Sequence, residues 1–100
     1  MLSYYNKSDI CILVLHEIYG INQHMETICN KLSKYQFDIL CPNLLQKGKN
    51  YSYSKEKKAY ENFKENIGFS SATKKVKDIL YKIRDKYKII VIVGFSIGPT

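Results

Sequence analysis

The 100 residues contain no Pro/Gly-rich linker, no low-complexity tract and no apolar run near the ~20 residues that a membrane span requires. Disorder, a hinge between two domains and a transmembrane helix are excluded as readings. The N-terminal stretch "MLSYYNKSDICILVL" has a single lysine, an aspartate at position 9 and too short an apolar segment for a signal peptide. Cysteines are few and odd in number: Cys11, Cys29 and Cys41 lie far apart among apolar neighbours, with no C-x-x-C pair. Neither a disulfide framework nor a zinc site is supported, no cofactor or metal is expected, and a reducing cytoplasm is the natural compartment. Arginine is scarcest of the charged residues. Arg84 stands alone as a bidentate donor.

That last scarcity bears on the net charge of +7. A Lys/Tyr-rich surface between Lys47 and Lys88 suggests single-stranded nucleic acid. Yet the lysines alternate with Glu56, Glu61, Glu65, Asp78 and Asp85 at helical spacing, which is the pattern of a solvated helix face. The solvated face outweighs a nucleic-acid partner, and no membrane partner is expected. With 45% apolar and 25% charged residues, the length suits one small globular domain over residues 1–100.

Apolar patterning supplies the elements. "ICILVL" at 10–15 is an unbroken run of mostly branched residues, the signature of a strand buried on both faces of a parallel sheet. Met25, Ile28, Cys29 and Leu32 form a helical stripe over about 22–34. A second strand covers about 37–41 and stops at Pro42; a helix over about 55–66 ends at Gly68; a further helix over about 71–86 carries Val76, Ile79, Leu80 and Ile83. "KIIVIV" at 88–93 is the third strand. Strand, helix, strand, helices, strand predicts an α/β fold with a three-stranded parallel sheet flanked by helices.

Two motifs stand at the ends of these strands. Gly94, Ser96 and Gly98 spell G-x-S-x-G after the third strand, where small neighbours let strand and helix backbones close around a strained serine turn. The bland alternative is a tight structural turn in a non-catalytic α/β domain that binds a ligand or partner. "LHEIYG" follows the first strand. His16 and Glu17 open an H-E-x-x-H pattern that fails at Gly20, so no zinc is read there. A histidine at a strand end is most often packed and hydrogen-bonded, but backbone N–H groups of this loop are placed to complete an oxyanion hole if the two strands are neighbours.

"ILVLHEIYGIN", "FDILCPNLL" and "KIIVIVGFSIG" together resemble the N-terminal half of the dienelactone hydrolase family of α/β-hydrolases. The resemblance implies a truncated α/β-hydrolase fold ending at the nucleophile elbow, and a small-molecule ester or lactone substrate. Ser96 matches the nucleophile, the backbone N–H groups of Ile97 and Ile18 match the oxyanion donors, and Glu17 matches a glutamate that contacts the nucleophilic thiol in cysteine-bearing members. Asn43 replaces the aspartate of a family P-D motif, and Pro99 replaces a small residue. In the family the triad acid and histidine follow the nucleophile; His16 and His24 precede it and match neither position. The chain is therefore expected to be inactive alone, and the exposed edge of its third strand is expected to favour self-association.

Overall fold

The computed structural model describes residues 1–46 and 48–94. In chain order these form β1 (Leu2–Tyr4), β2 (Ile10–Leu15), α1 (Gln23–Ser33), β3 (Asp38–Cys41), a 3-10 turn (Tyr53–Lys55), α2 (Glu56–Asn62), a π-helical turn (Phe63–Ile67), α3 (Gly68–Ile83) and β4 (Ile89–Gly94). The sheet order is β1-β3-β2-β4, with β2 parallel to both β3 and β4.

The unbroken apolar run of β2 has a direct structural cause. Its side chains alternate between two cores. Ile12 and Val14 point to one face with Ile39, Cys41 and the α1 residues Met25 and Cys29. Cys11 and Leu13 point to the other with Leu40, Ile83 and the α3 residues Val76, Ile79 and Leu80. A strand with helices on both faces has no solvent side to mark with polar residues. Each fully buried leucine such as Leu13 contributes roughly 1.5–3 kcal/mol.

The expected three-stranded parallel sheet requires a correction. The sheet has four strands, and β1 pairs antiparallel with β3, Leu2 opposite Cys41 and Tyr4 opposite Ile39. Three residues with a polar serine between two half-buried neighbours are too few to display a period, so β1 leaves little trace in the sequence. It is held in place by the polar contacts of the segment that follows it. Asp38, buried at the start of β3, accepts hydrogen bonds at Oδ1 from the N–H groups of Asn6 (2.7 Å) and Ser8 (3.2 Å). Its Oδ2 accepts from the Tyr87 hydroxyl at 2.6 Å, which ties the approach to β4 into the same knot. Burial pushes the Asp38 pKa up, but these donors outweigh it and hold the carboxyl below its ordinary value.

The helices differ from expectation mainly at their joints. Asn22 caps α1, its Oδ1 accepting from the Met25 N–H at 3.1 Å, an interaction worth about 1 kcal/mol. The helices expected over 55–66 and 71–86 follow one another without a loop: α2 runs through the π-helical turn into α3. Gly68 makes the change of direction at φ +74°, a conformation that side-chain-bearing residues rarely adopt. No helix among the described residues is long and apolar enough to cross a membrane.

Strand β4 lies beside β2 at one end of the sheet order. Among the described residues no strand pairs its other edge, and Ile89, Val91 and Ile92 are 53%, 43% and 49% exposed. The apolar run of β4 reads as a strand as fully buried as β2, but β4 is largely exposed, whereas β2 is covered on both faces.

Candidate active site

The pairing of β2 with β4 runs in register from Ile10 opposite Ile89 to Leu15 opposite Gly94. The loop that starts at His16 and the motif that starts at Gly94 therefore leave adjacent strands at the same, carboxyl end of the sheet. This is the end at which α/β folds place their chemistry. Ser96, Ile97, Gly98 and Pro99 lie outside the described residues; Glu17 and Ile18 lie within them, both half-buried.

His16 is a structural residue here. It is buried, its Nε2 accepts the Leu44 N–H at 2.8 Å, and its Nδ1 faces the Glu17 carbonyl oxygen. An Nε2 that accepts must be unprotonated, so Nδ1 carries the proton and donates to Glu17. Burial, the largest influence, lowers the His16 pKa and keeps the ring neutral. Both nitrogens are engaged, and the imidazole serves to join the ends of β2 and β3.

Beyond it the chain makes a tight turn. The Gly20 N–H donates to the Glu17 carbonyl at 3.1 Å, placing Ile18 and Tyr19 at the two central positions. Gly20 has φ +80°, and a Cβ there would lie 2.9 Å from both Leu45 Cδ1 and the Lys49 carbonyl oxygen. Glycine is required twice over, for its backbone angle and for its missing side chain. Among the described residues, the Ile18 N–H donates to no backbone acceptor.

A match to the Dienelactone hydrolase family model extends over residues 3–100. The chain belongs to the dienelactone hydrolase family. As a dienelactone hydrolase family chain it is also similar to an uncharacterized protein, YczH, of Bacillus subtilis (strain 168), at 30% identity over 89 residues. The aligned part is 89% of this chain and 43% of YczH, so the chain spans under half the length of that relative. No solved structure matches it. Family membership implies an α/β-hydrolase-like fold.

Sequence reasoning missed how the segment after β3 bears on this candidate site. The segment after Pro42 lacks any apolar period, yet its residues Leu45 and 50–53 pack against the Glu17–Gly20 turn. Tyr51 N–H donates to the Tyr19 carbonyl at 2.7 Å, Asn50 bridges to Gly20, and Asn22 Nδ2 donates to the Tyr51 carbonyl at 3.2 Å. The Tyr53 hydroxyl then donates to Glu17 Oε1 at 2.7 Å. Burial first, and the hydrogen bond to Glu17 second, push the Tyr53 phenol up to about 12. The Tyr53 ring packs edge-on with buried Tyr19 (centroids 4.6 Å apart) and lies 5.5 Å from His24. At the other end of the segment, Asn43 Oδ1 accepts from the Leu45 N–H and its Nδ2 donates to the Gln46 carbonyl. Asn43 thus shapes its own turn. Gln46 and buried Asn62 exchange side-chain hydrogen bonds of 2.9 and 3.1 Å, fastening the segment to α2.

The three cysteines are free and buried. Burial, with Asp38 nearby, pushes Cys11 up to about 11, and hydrogen bonding with Cys29 together with burial pushes Cys41 up as well. Neither Cys11 nor Cys41 has the accessible thiolate that nucleophilic chemistry requires. Among the described residues no group of three or more His, Cys, Asp or Glu side chains is placed to hold a metal ion.

Proposed function

We propose that these residues carry the nucleophile and the oxyanion donors of a serine hydrolase acting on carboxylic esters or lactones. The observation that carries the reading is the pairing of Leu15 with Gly94, which starts the Glu17–Gly20 turn and the Gly94-x-Ser96-x-Gly98 motif side by side. Ser96 Oγ attacks the carbonyl carbon, the Oγ–C bond forms, and the π electrons move onto the carbonyl oxygen. The N–H groups of Ile97 and Ile18 hold that oxyanion; removing one such donor costs about 10²–10³-fold in rate. Collapse of the tetrahedral species expels the alkoxide, which takes the proton that Ser96 gave to a general base. Water then cleaves the acyl-enzyme and restores the serine. Glu17 has an auxiliary place at the rim of the site.

The general base comes from outside these residues. His16 is neutral, buried and engaged at both nitrogens, and His24 sits in the first turn of α1, beside Tyr53. A serine without a base has the reactivity of an ordinary alcohol, so the 100-residue chain by itself has no turnover. The test compares hydrolysis of short p-nitrophenyl esters by three samples: the polypeptide expressed from the full reading frame that carries these residues, its Ser96→Ala variant, and residues 1–100 alone. The proposal expects activity in the first sample only. Activity that survives Ser96→Ala would overturn it.

A further inference from the structure

Three of the four residues of the turn, Glu17, Tyr19 and Gly20, are each fastened to the segment 50–53, and Ile18 lies between the fastened positions. The fastenings are of different kinds. Tyr53 holds the Glu17 side chain at 2.7 Å, Tyr51 holds the Tyr19 carbonyl at 2.7 Å, and Asn50 pairs with Gly20 through the backbone. The turn is closed on itself as well, by the Gly20 N–H on the Glu17 carbonyl. A peptide group bounded in this way has little freedom to rotate.

We propose that Tyr53 is a positioning residue of the hydrolase: by closing on Glu17 it fixes the peptide that carries the Ile18 N–H, so that this donor faces the reacting oxygen before substrate arrives. The inference rests on the hydrolase reading above and assigns a task to the segment after β3. Oxyanion donors act through preorganisation, because a donor that must first rotate into place forfeits much of its advantage in the transition state. Tyr53 suits the task for three reasons. Its ring is held edge-on by buried Tyr19, its hydroxyl reaches a charged acceptor, and the adjoining Tyr51 and Asn50 are tied to the same turn. A hydrogen bond to a carboxylate is stronger than one between neutral groups.

The experiment uses the polypeptide from the full reading frame with Tyr53→Phe, Glu17→Ala and the double variant. Phenylalanine keeps the ring packing against Tyr19 and removes only the hydroxyl. We expect Tyr53→Phe to lower kcat by about 5- to 30-fold with KM unchanged, and to weaken a tetrahedral boronic-acid inhibitor by the same factor. Adding it to Glu17→Ala is expected to have little further effect, since the contact is already gone. Additive losses, or a Tyr53→Phe enzyme at wild-type kcat, would overturn the proposal while leaving Ser96 in place. The tyrosine titration followed by ultraviolet absorbance, taken as the difference from the matching Tyr53→Phe variant so that Tyr53 alone is read among nine tyrosines, reads the contact without any turnover. A Tyr53 phenol that ionises at the same pH in wild type and Glu17→Ala overturns the pair itself, whereas hydrolysis that survives Ser96→Ala overturns the hydrolase reading beneath it.

Discussion

Replacing Gly20 with alanine probes the turn at its tightest point. At φ +80° a side-chain-bearing residue costs roughly 1–2 kcal/mol relative to its preferred conformations. The new Cβ would also meet Leu45 Cδ1 and the Lys49 carbonyl oxygen at 2.9 Å each. Leu45 is buried and the carbonyl belongs to the backbone, so neither moves aside freely, and overpacking of this kind adds about 1–3 kcal/mol. Gly68→Ala is the matched control. It shares the backbone angle, at φ +74°, but its Cβ would meet nothing within 4 Å. The loss of unfolded-state entropy is the same in both variants and cancels. The expected excess for Gly20→Ala is therefore the clash alone, about 1–3 kcal/mol. With a urea m value of about 1.5 kcal/mol per M, it unfolds roughly 0.7–2 M earlier than Gly68→Ala when followed by far-ultraviolet circular dichroism. A Gly20→Ala variant that fails to fold beside a folded Gly68→Ala is the same outcome in its extreme form. Equal midpoints would refute the packing described for this turn.

Three further perturbations act elsewhere. Asp38→Asn removes the carboxylate that Asn6, Ser8 and Tyr87 all contact, and is expected to cost about 2–4 kcal/mol by urea unfolding, with Tyr87→Phe costing about 1–2 kcal/mol and the pair adding less than the sum. Because the folded Asp38 pKa lies below its ordinary 3.8, its contribution is present above that pH and disappears as the pH falls through the folded value. His16 acts in a different window. Its folded pKa lies below 6.5, so the unfolded chain binds the proton more readily, and stability should fall as the pH drops from 6.5 toward the folded value; a His16→Asn variant should show a flatter stability profile there. On the open edge of β4, where Val91 is 43% exposed, Val91→Lys should weaken self-association of the 100-residue chain roughly tenfold in sedimentation velocity. A wild-type chain that stays monomeric at all concentrations would show that the edge is not adhesive.

The elements with strong apolar patterns were the most legible in the sequence. β2, β3 and β4 are short apolar runs bounded by polar or turn residues, although β4 is largely exposed, and α1 carries a clear stripe closed by an asparagine cap. β1 was hidden because a three-residue edge strand has no room for a pattern, and its position depends on Asp38, whose role appears only once Asn6, Ser8 and Tyr87 are brought to it. The site divides in the same way. That the loop after β2 and Gly94 at the end of β4 leave neighbouring strands could be read from the strand ends, and His16 is packed and hydrogen-bonded as its position at a strand end suggests. Tyr53 could not be read so. Its link to Glu17 spans 36 residues of chain through a segment held by backbone hydrogen bonds, and such bonds leave no periodic mark on side-chain identity. Gly20 followed by asparagine and tyrosine residues further on was the faint signal available.

Whether Ser96 is a nucleophile with its base supplied from beyond these residues is read most directly by covalent trapping. The polypeptide from the full reading frame, and residues 1–100 alone, would be treated with a fluorophosphonate and the adduct mapped by peptide mass spectrometry. A single adduct on Ser96 is expected in the former, lost in Ser96→Ala, and no adduct above that of an ordinary serine in the latter. An adduct on another residue, or equally rapid labelling of Ser96 in the 100-residue chain, would contradict it.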